Sequence, residues 1–326
     1  MKIGLTYDLR SEYLEMGYSE EETAEFDRDD TIKAIETTLL ALGHETECIG
    51  HAKKLIAALV AGNSWDLVFN IAEGLRGIGR EAQVPAILDL YGIPYTFSDP
   101  LVMSLTLHKG MTKRVLRDAG VPTCDFLVAE SAADVELVSF APPYFVKPVA
   151  EGTGKGVTPA SIVPERTGLP GAVEELLAIY KQPVLVESFL PGREFTVGIV
   201  GTGKDADAIG SIEVVLLANA EQGVYSYVNK EKCEELVEYR LALADEDPVV
   251  REAENIALDA WRILGCRDAG RIDLRCDAYG RPQFIEVNPL AGIHPEHSDL
   301  PIICTKKGIA YRSLIERIIR SAAERM

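Results

Sequence analysis

The sequence lacks a long hydrophobic run, because no stretch of about eighteen consecutive apolar residues occurs in its 326 residues. The opening segment, MKIGLTYDLR, has no apolar core of the kind that secretory signal peptides carry, and it is better explained as a first β-strand. These absences predict a soluble protein of the cytoplasm. The length is too great for one ordinary hydrophobic core and predicts two or three domains.

Clusters of positive charge are also missing. The chain has 33 Lys and Arg against 51 Asp and Glu, which gives a formal net charge of −18. Nucleic acids and anionic membranes are bound mainly through clustered Lys and Arg, so neither is expected as a partner. A small anion in a locally basic cleft is still compatible with this composition.

Three familiar motifs are absent or incomplete. The six cysteines are scattered without C-x-x-C spacing, which argues against a zinc site or a disulfide framework and favours reduced thiols. GIVGTGKD, at 198–205, nearly matches a Walker A loop, but Asp205 replaces the Ser or Thr that binds magnesium. GLRGIG, at 74–79, lacks the G-x-G-x-x-G spacing of a dinucleotide loop.

The pattern that is present predicts an α/β and α+β chain of three parts. Residues 1–98 alternate strand-like and amphipathic segments, which indicates a small doubly wound α/β domain whose last strand is IPYTFS. We place a central subdomain at 99–181 and a C-terminal subdomain at 182–326. The polar span 219–242 is predicted to be a long surface loop, and 248–264 a helix.

The segment GRIDLRCDAYGRPQFIEVN, at 270–288, has the alternation of a two-stranded hairpin. If DAYG forms a turn with an even number of residues, odd positions on the first strand pair with even positions on the second. Arg271, Asp273, Glu286 and Asn288 then lie on one face.

Two carboxylates and an amide on one face require a cation between them. Their oxygens are hard ligands that suit Mg²⁺, and an adjacent arginine can stabilise a developing oxyanion. The alternative is a solvent-facing hairpin whose charges pair with one another.

A second pattern in the sequence predicts a phosphate-binding site. The loop EGTGKGV, at 151–157, follows a strand and offers backbone N–H groups together with Thr153 and Lys155. By itself it is equally typical of a flexible turn. Lys147 lies in the preceding apolar strand, where a lysine is costly to bury without an anionic partner. His294 and His297 have a spacing compatible with a metal, but no third soft ligand accompanies them, which favours residues that line a pocket.

Together these motifs resemble the ATP-grasp superfamily, and the whole chain is similar to the D-alanine–D-alanine ligase family. The matching segments follow the family's order: GIPYTFSDPLVMSLTLHKGMTKRVLRDAGVP, YFVKPVAEGTGKGV, VLVESFLPGREFTVGIVG, YSYVNK and the hairpin. The resemblance implies an N-terminal doubly wound α/β domain followed by a two-part ATP-grasp fold. It also implies an ATP-dependent, ADP-forming carboxylate–amine ligase that uses Mg²⁺ (or Mn²⁺).

The resemblance carries over to individual positions. It implies that Lys109 and Lys147 bind ATP phosphates, that the EGTGKGV loop, with Glu151 and Thr153, closes over them, and that Lys230 reaches the γ-phosphate. Adenine is then faced by Glu187 and by main-chain groups of Phe189 and Leu190, and the ribose hydroxyls by Glu194. Asp273, Glu286 and Asn288 match the metal ligands, and Arg271 matches the arginine that supports the acyl intermediate.

The amino-acid pockets depart from the family pattern. Glu12 is only a loose match to the glutamate that holds the first amino group, and Glu73 replaces an expected histidine. His297 stands where a serine would meet the second substrate's carboxylate, and Gly292 and Ser298 are further candidate substrate residues from the same segment. The substrates are therefore left as D-alanine, another amino acid or a small metabolite. Homodimers fit the resemblance.

Two other classes of function remain as alternatives. A non-catalytic, ATP-binding regulatory module would keep the nucleotide cleft without ligation, but it has less need of Arg271 and Lys230. A nucleotide-dependent oxidoreductase would use the N-terminal domain, which lacks a dinucleotide fingerprint.

Overall fold

The computed structural model describes residues 1–326, which form three β-sheets and twelve α-helices. The first sheet is parallel, with strand order β2-β1-β3. The elements of this region are β1 (Lys2–Tyr7), α1 (Arg10–Glu15), α2 (Asp29–Ala41), β2 (Glu45–Gly50), α3 (Ala52–Val60), β3 (Leu67–Ile71) and α4 (Gln83–Tyr91).

Helices cover both faces of this first sheet. On one face α2 buries Ile35 and Leu39 against β1 and β3, and on the other α3 and α4 bury Leu55 and Leu88 against Val68. This arrangement confirms the predicted doubly wound domain. Such a sheet presents the carboxyl ends of its strands at one edge, where ligands usually bind in folds of this type.

The prediction that IPYTFS forms the last strand of the domain was wrong. Residues 93–98 form only an isolated bridge between Tyr95 and Val68. Phe97 has a φ of 72°, and its N–H donates to the Asp268 carboxylate at 2.7 Å, so the chain turns toward the C-terminal region instead of extending along β3.

The second sheet is antiparallel, with order β4-β7-β5-β6. Its region contains α5 (Pro100–Leu107), α6 (Lys109–Asp118), β4 (Phe126–Ala129), β5 (Tyr144–Pro148), β6 (Ile162–Val163), α7 (Leu169–Tyr180) and β7 (Val184–Ser188). Because β7 pairs with β4 and β5, it belongs to this sheet, although the predicted boundary at 181 precedes it.

The third sheet is also antiparallel, with order β10-β9-β8-β11-β12. Its region contains β8 (Glu194–Val200), β9 (Asp207–Leu216), α8 (Tyr227–Glu231), α9 (Cys233–Leu236), β10 (Val237–Ala242), α10 (Pro248–Leu264), β11 (Ala269–Cys276), β12 (Pro282–Asn288), α11 (Asp299–Lys306) and α12 (Tyr311–Ala323). None of the twelve helices combines the length and apolar character needed to cross a bilayer.

α10 forms where the sequence predicts a helix. The Asp247 side chain accepts a hydrogen bond from the Val249 N–H at its start, and Gly265 ends it with a φ of 76°. Its apolar face packs Trp261 and Ala257 against the third sheet.

The span 219–242 is more ordered than the predicted surface loop. Its second half comprises α8, α9 and β10, and β10 pairs with β9 from Val237 to Ala242. The reason is a small apolar core in which Leu236 and Val237 pack against Val214.

The two ends of the chain share one core. Ile315, Ile318 and Ile319 of α12 belong to the same buried cluster as Ile35 and Leu39 of α2. The first domain is therefore completed by the last helix.

Candidate active site

β11 and β12 carry the four side chains predicted from the hairpin. Arg271 lies opposite Asn288, and Asp273 lies opposite Glu286. Directly opposed residues of an antiparallel pair share a face, so the structure brings the four together.

The turn that joins these strands differs from the prediction. The connection has five residues, 277–281, rather than the four of DAYG. A register shift after Asp273 leaves Ile285 as an extra residue on β12. The bulge compensates for the odd-length loop and restores the pairing on which the site depends.

Charges of opposite sign alternate across this face. Arg271 donates to the Asp273 carboxylate, and its Nε lies 3.4 Å from Asp299 Oδ2. Thr196 Oγ1 donates to Asp273 Oδ1 at 2.8 Å, and Lys109 Nζ lies 3.4 Å from Glu286 Oε2. The face is buried, so the pairs are weakly screened by solvent.

The two carboxylates differ in their electrostatic surroundings. Burial favours the neutral form of Glu286, but the positive charges of Lys109, Lys230 and Lys147 outweigh it and hold its pKa well below the usual value. For Asp273, burial and the nearby Glu286 outweigh Arg271 and raise the pKa. One carboxylate of the pair is therefore strongly biased toward the ionised form.

The donor set suits a hard divalent cation. Asp273 and Glu286 offer carboxylate oxygens, and Asn288 offers an amide whose Nδ2 is buried without a hydrogen-bond partner. Rotating that amide by half a turn exchanges its nitrogen for an oxygen ligand. Oxygen donors of these types are those that Mg²⁺ takes from proteins, so the residues fit such a cation.

Asp273 and Glu286 also border a cavity rich in lysine, which we call the lysine cavity. It lies between the second and third sheets. Its walls include Lys109, Lys147, Glu151, Lys155, Glu187, Phe189, Leu190, Glu194, Lys230, Asp273, Arg275 and Glu286.

A buried ion-pair network forms one wall of the lysine cavity. Glu187 Oε1 lies 2.6 Å from Lys113 Nζ, and its Oε2 lies 2.9 Å from Lys147 Nζ. Sequence reasoning missed Lys113. The signal was its spacing, because Lys109, Lys113 and Leu116 lie on one buried face of α6.

Phe189, Leu190 and Glu194 lie at the other wall. The Phe189 N–H already donates to Pro143 O at 3.0 Å, and its ring is stacked under Arg275, 5.3 Å from the guanidinium carbon. Arg275 also lies 3.3 Å from Glu194. Of the two main-chain positions, Leu190 is therefore the one whose N–H is still available.

The glycine loop, 151–157, folds over the cavity. Thr153 and Gly154 have φ values of 51° and 72°, and a Cβ on Gly154 would lie 2.8 Å from the Tyr227 nitrogen of α8. Lys109 Nζ donates to the Glu151 carbonyl at 2.5 Å. The close approach of this loop to α8 requires glycine at that position.

Glu25, which sequence reasoning missed, ties the first domain to this loop. Its carboxylate accepts from the Gly152 N–H at 2.6 Å and lies 2.8 Å from Arg80 and 3.3 Å from Lys155. Glu25 lies in an irregular segment before α2, so no periodicity marks it.

Lys230 is carried by α8 and borders the lysine cavity. Its Nζ lies 4.7 Å from the centre of the Tyr225 ring, a cation–π contact. It also borders a larger cavity of about 480 Å³ at the surface, which we call the outer cavity.

A third cavity, the acidic cavity, adjoins both of the others. Its volume is about 120 Å³, and it shares Glu286 with the lysine cavity and Arg271 with the outer cavity. Its walls include Glu25, Glu73, Glu81, Lys109, Glu151, Thr153, Arg271, Glu286, Asn288 and Gly292.

Of the candidate substrate residues, Glu73 and Gly292 border the acidic cavity, whereas Gly292, His297 and Ser298 border the outer cavity. Ser298 Oγ accepts from the His294 N–H at 3.0 Å, and His297 Nδ1 lies 2.5 Å from Glu234 of α9. Both side chains are thus already engaged with the chain.

The structure does not bring Glu12 to any of these cavities. Glu12 lies on α1, and its carboxylate pairs with Lys54 of α3 at 2.7 Å and 2.8 Å. The ion pair with Lys54 holds this side chain at the partly exposed surface, and Glu25, from a nearby part of the chain, borders the acidic cavity instead.

Comparison with known proteins agrees with this architecture. The family model described as the D-ala D-ala ligase C-terminus matches residues 115–320. A D-alanine–D-alanine ligase from Bordetella petrii is 33% identical over 89% of this chain and 86% of its own length. An uncharacterized protein from Sinorhizobium fredii, y4sG, is 32% identical over 90% of this chain and 87% of its own length.

Among solved structures, the D-alanine–D-alanine ligase from Bacillus anthracis complexed with ATP superposes with a TM-score of 0.73 and 21% identity, covering 99% of this chain and 98% of that one. This likeness confirms the ATP-grasp architecture. Taken with the family model and the sequence relatives, it shows that the chain belongs to the D-alanine–D-alanine ligase family.

Proposed function

We propose that the protein is an ATP-dependent, ADP-forming carboxylate–amine ligase that makes a peptide or amide bond through an acyl phosphate. One observation carries the proposal: Glu286, opposite Asp273, separates the lysine cavity from the acidic cavity. A nucleotide in the first cavity and a carboxylate in the second would meet at this wall. The ATP complex of the Bacillus anthracis relative supports the assignment of the nucleotide.

In this proposal the lysine cavity binds ATP. Lys109 and Lys147 contact the phosphates, and the glycine loop covers them through Glu151 and Thr153. The main chain at Phe189 and Leu190 faces adenine, and Glu194 binds the ribose. Glu187 contributes by holding Lys147 in place through their 2.9 Å ion pair.

Asp273, Glu286 and Asn288 would hold Mg²⁺ or Mn²⁺. When bound, the cation neutralises charge on the transferring phosphoryl group. The chain's own residues then account for the remaining requirements of the reaction.

The first step joins a substrate carboxylate oxygen to the γ-phosphorus of ATP while the bond to ADP breaks. Lys109, Lys147 and Lys230 counter the negative charge of the phosphoryl group as it moves. An amine then attacks the acyl carbon, and Arg271 stabilises the oxyanion before phosphate leaves and the nitrogen loses a proton. The glycine loop and α8 exclude water, which would hydrolyse the acyl phosphate.

The first test of this function is ADP release by the purified chain. We expect release with ATP, Mg²⁺ and at least one member of a broad amino-acid panel, with D-alanine as the first to try. Glu286→Gln should lower turnover by about 10²- to 10³-fold because a charged ligand is lost. Circular dichroism should show an unchanged fold.

Glu316→Gln is the control, because Glu316 is exposed on α12, and it should keep full activity. The absence of ADP release with every amino acid would contradict the ligase proposal. Thermal stabilisation by ATP without any turnover would favour the regulatory module instead.

We also propose that the protein forms a homodimer in the cytoplasm. The proposed dependence on ATP supports the cytoplasmic location. The family relationship supports the homodimer, as do exposed apolar side chains on the neighbouring helices α3 and α4, namely Ile56, Val60, Leu90 and Tyr91. Sedimentation equilibrium measures the oligomeric state directly.

A further inference from the structure

Most acidic side chains around the acidic cavity form an ion pair with a Lys or Arg side chain of the protein. Glu25 pairs with Arg80 and Lys155, and Glu286 pairs with Lys109. Glu151 lies 2.6 Å from Lys155.

Glu73 and Glu81 differ from these residues because they form no ion pair. Neither carboxylate accepts a hydrogen bond or joins an ion pair within the chain, although both border the cavity. Two carboxylates without a partner at a catalytic cavity can ionise at low cost only when the molecule that binds there brings positive charge.

A tight turn of the backbone holds these two carboxylates near each other. Glu73 follows β3, and Glu81 lies in a short 3₁₀ turn that begins at Arg80. Gly74 between them has a φ of 72°, and its N–H donates to Asp8 Oδ2 at 2.9 Å. A Cβ on Gly74 would lie 2.6 Å from Arg80 O, so the loop folds back tightly and directs both acids into one cavity.

The electrostatics of the acidic cavity favour a cationic ligand. Burial, followed by the charges of Glu81 and Glu25, raises the pKa of Glu73 well above its usual value. Burial also raises the pKa of Glu81, to about 7. A positively charged ligand would reverse both effects and allow the two groups to ionise.

We propose that Glu73 and Glu81 form a subsite for a substrate with two cationic nitrogens, namely an amino acid with a basic side chain. The inference rests on the proposed ligase function. One ammonium would balance one carboxylate, and a second cationic nitrogen would allow the other carboxylate to ionise as well. Arg271 and Lys109, which also border the cavity, supply positive charge for the substrate's own carboxylate.

The size of the cavity favours the shorter basic amino acids. Its volume of about 120 Å³ is comparable with the roughly 150 Å³ that holds a benzene-sized molecule in an engineered cavity. Through Arg271 and Gly292 it adjoins the outer cavity of about 480 Å³, where the second amino acid has room.

The test compares basic and neutral amino acids of similar length. ADP release by the full chain is measured with D- and L-lysine, ornithine and 2,3-diaminopropionate, and with norleucine, norvaline and alanine. We expect at least a tenfold higher kcat/KM for one basic amino acid than for its neutral counterpart. Equal or better use of the neutral amino acids overturns the inference while leaving the ligase function intact.

Variants assign the effect to the two carboxylates. Glu73→Gln and Glu81→Gln should each raise KM for the basic amino acid at least tenfold, with little change in KM for ATP and none in KM for the neutral counterpart. Glu175→Gln, at an exposed position on α7, is the matched control. An equal loss for basic and neutral substrates, or no loss for either, contradicts the assignment.

A binding measurement separates this inference from the ligase proposal. Isothermal titration of lysine is performed in the presence of a non-hydrolysable ATP analogue. Lysine binding that is lost in Glu73→Gln supports the subsite even if no turnover is found. Absence of binding by lysine, ornithine and 2,3-diaminopropionate to the wild-type chain overturns it.

Discussion

The protonation state of a buried residue in this site is set by the charged residues next to it. Glu187 is buried between Lys113 and Lys147, and its two oxygens are each within 3 Å of a lysine nitrogen, at 2.6 Å and 2.9 Å. Burial alone would raise its pKa, but the two lysines lower it to about 2. Removing one member of such a network leaves a buried charge without a partner, which is far more costly than losing a pair at the surface.

Glu187→Gln should therefore lower the free energy of unfolding by about 3 to 5 kcal/mol, measured by urea denaturation at pH 7. The wild-type contribution has a defined dependence on pH. Because the folded-state pKa is depressed, the stabilisation is present above about pH 4.5 and is lost as the pH falls toward about 2.

Glu238→Gln is the control for this prediction, because Glu238 pairs with Arg240 at 2.7 Å on the surface. We expect a change of less than about 1 kcal/mol for that variant. Equal effects of the two substitutions would mean that burial of the Glu187 network contributes no special stability.

At the scale of elements, the glycine loop and α8 form the cover of the lysine cavity. Their contact depends on the absence of a side chain at Gly154, since a Cβ there would lie 2.8 Å from the backbone of Tyr227. The positive φ of Gly154 adds a second constraint, because the left-handed conformation costs other residues about 1 to 2 kcal/mol.

Gly154→Ala should separate the loop from α8 and reduce kcat/KM for ATP at least tenfold, measured by steady-state ADP release. Gly171→Ala is the matched control. Gly171 lies in α7 with open space around its Cα, so alanine there should leave activity unchanged. Wild-type kinetics in Gly154→Ala would show that the contact is not needed for turnover.

At the scale of the whole molecule, the first domain and the ATP-grasp part are joined at the reaction centre. Glu25 of the first domain bonds to Gly152 of the glycine loop, and Arg80 of the same domain donates to the Ala150 carbonyl at 2.9 Å. We therefore expect binding in the acidic cavity to affect the position of the glycine loop.

Glu25→Ala should loosen the glycine loop without unfolding the protein. We expect faster hydrogen exchange in a peptide that covers 149–158 and a KM for ATP raised about tenfold, because a buried charged hydrogen bond to the Gly152 N–H is lost. Glu15→Ala, an exposed position on α1 whose carboxylate makes no hydrogen bond, should change neither quantity. Unaltered exchange in Glu25→Ala would show that the loop is held by other contacts.

The sequence predicted an element correctly where residues within that element determine its structure. The bounds of α10 follow from Asp247, Gly265 and an apolar period, all of which are visible in the chain. The β11–β12 pairing was predicted correctly for the wrong reason, because the five-residue loop and the bulge at Ile285 offset each other. No sequence pattern reveals such compensation.

Residues that act across domains were the ones missed. Glu25 reaches a loop 127 positions away, and Lys113 on α6 pairs with a glutamate on β7. Glu12, by contrast, was placed by motif likeness alone, and the path of α1 turns it toward Lys54. Long-range packing, rather than local propensity, decides these positions.

The burial of α12 against α2 has a consequence for biosynthesis. Ile3 and Leu5 belong to the same apolar cluster as Ile315 and Ile318, so β1 stays incompletely covered until α12 has been synthesised and released. Nascent chains truncated before residue 311 would therefore be expected to depend on chaperones for solubility.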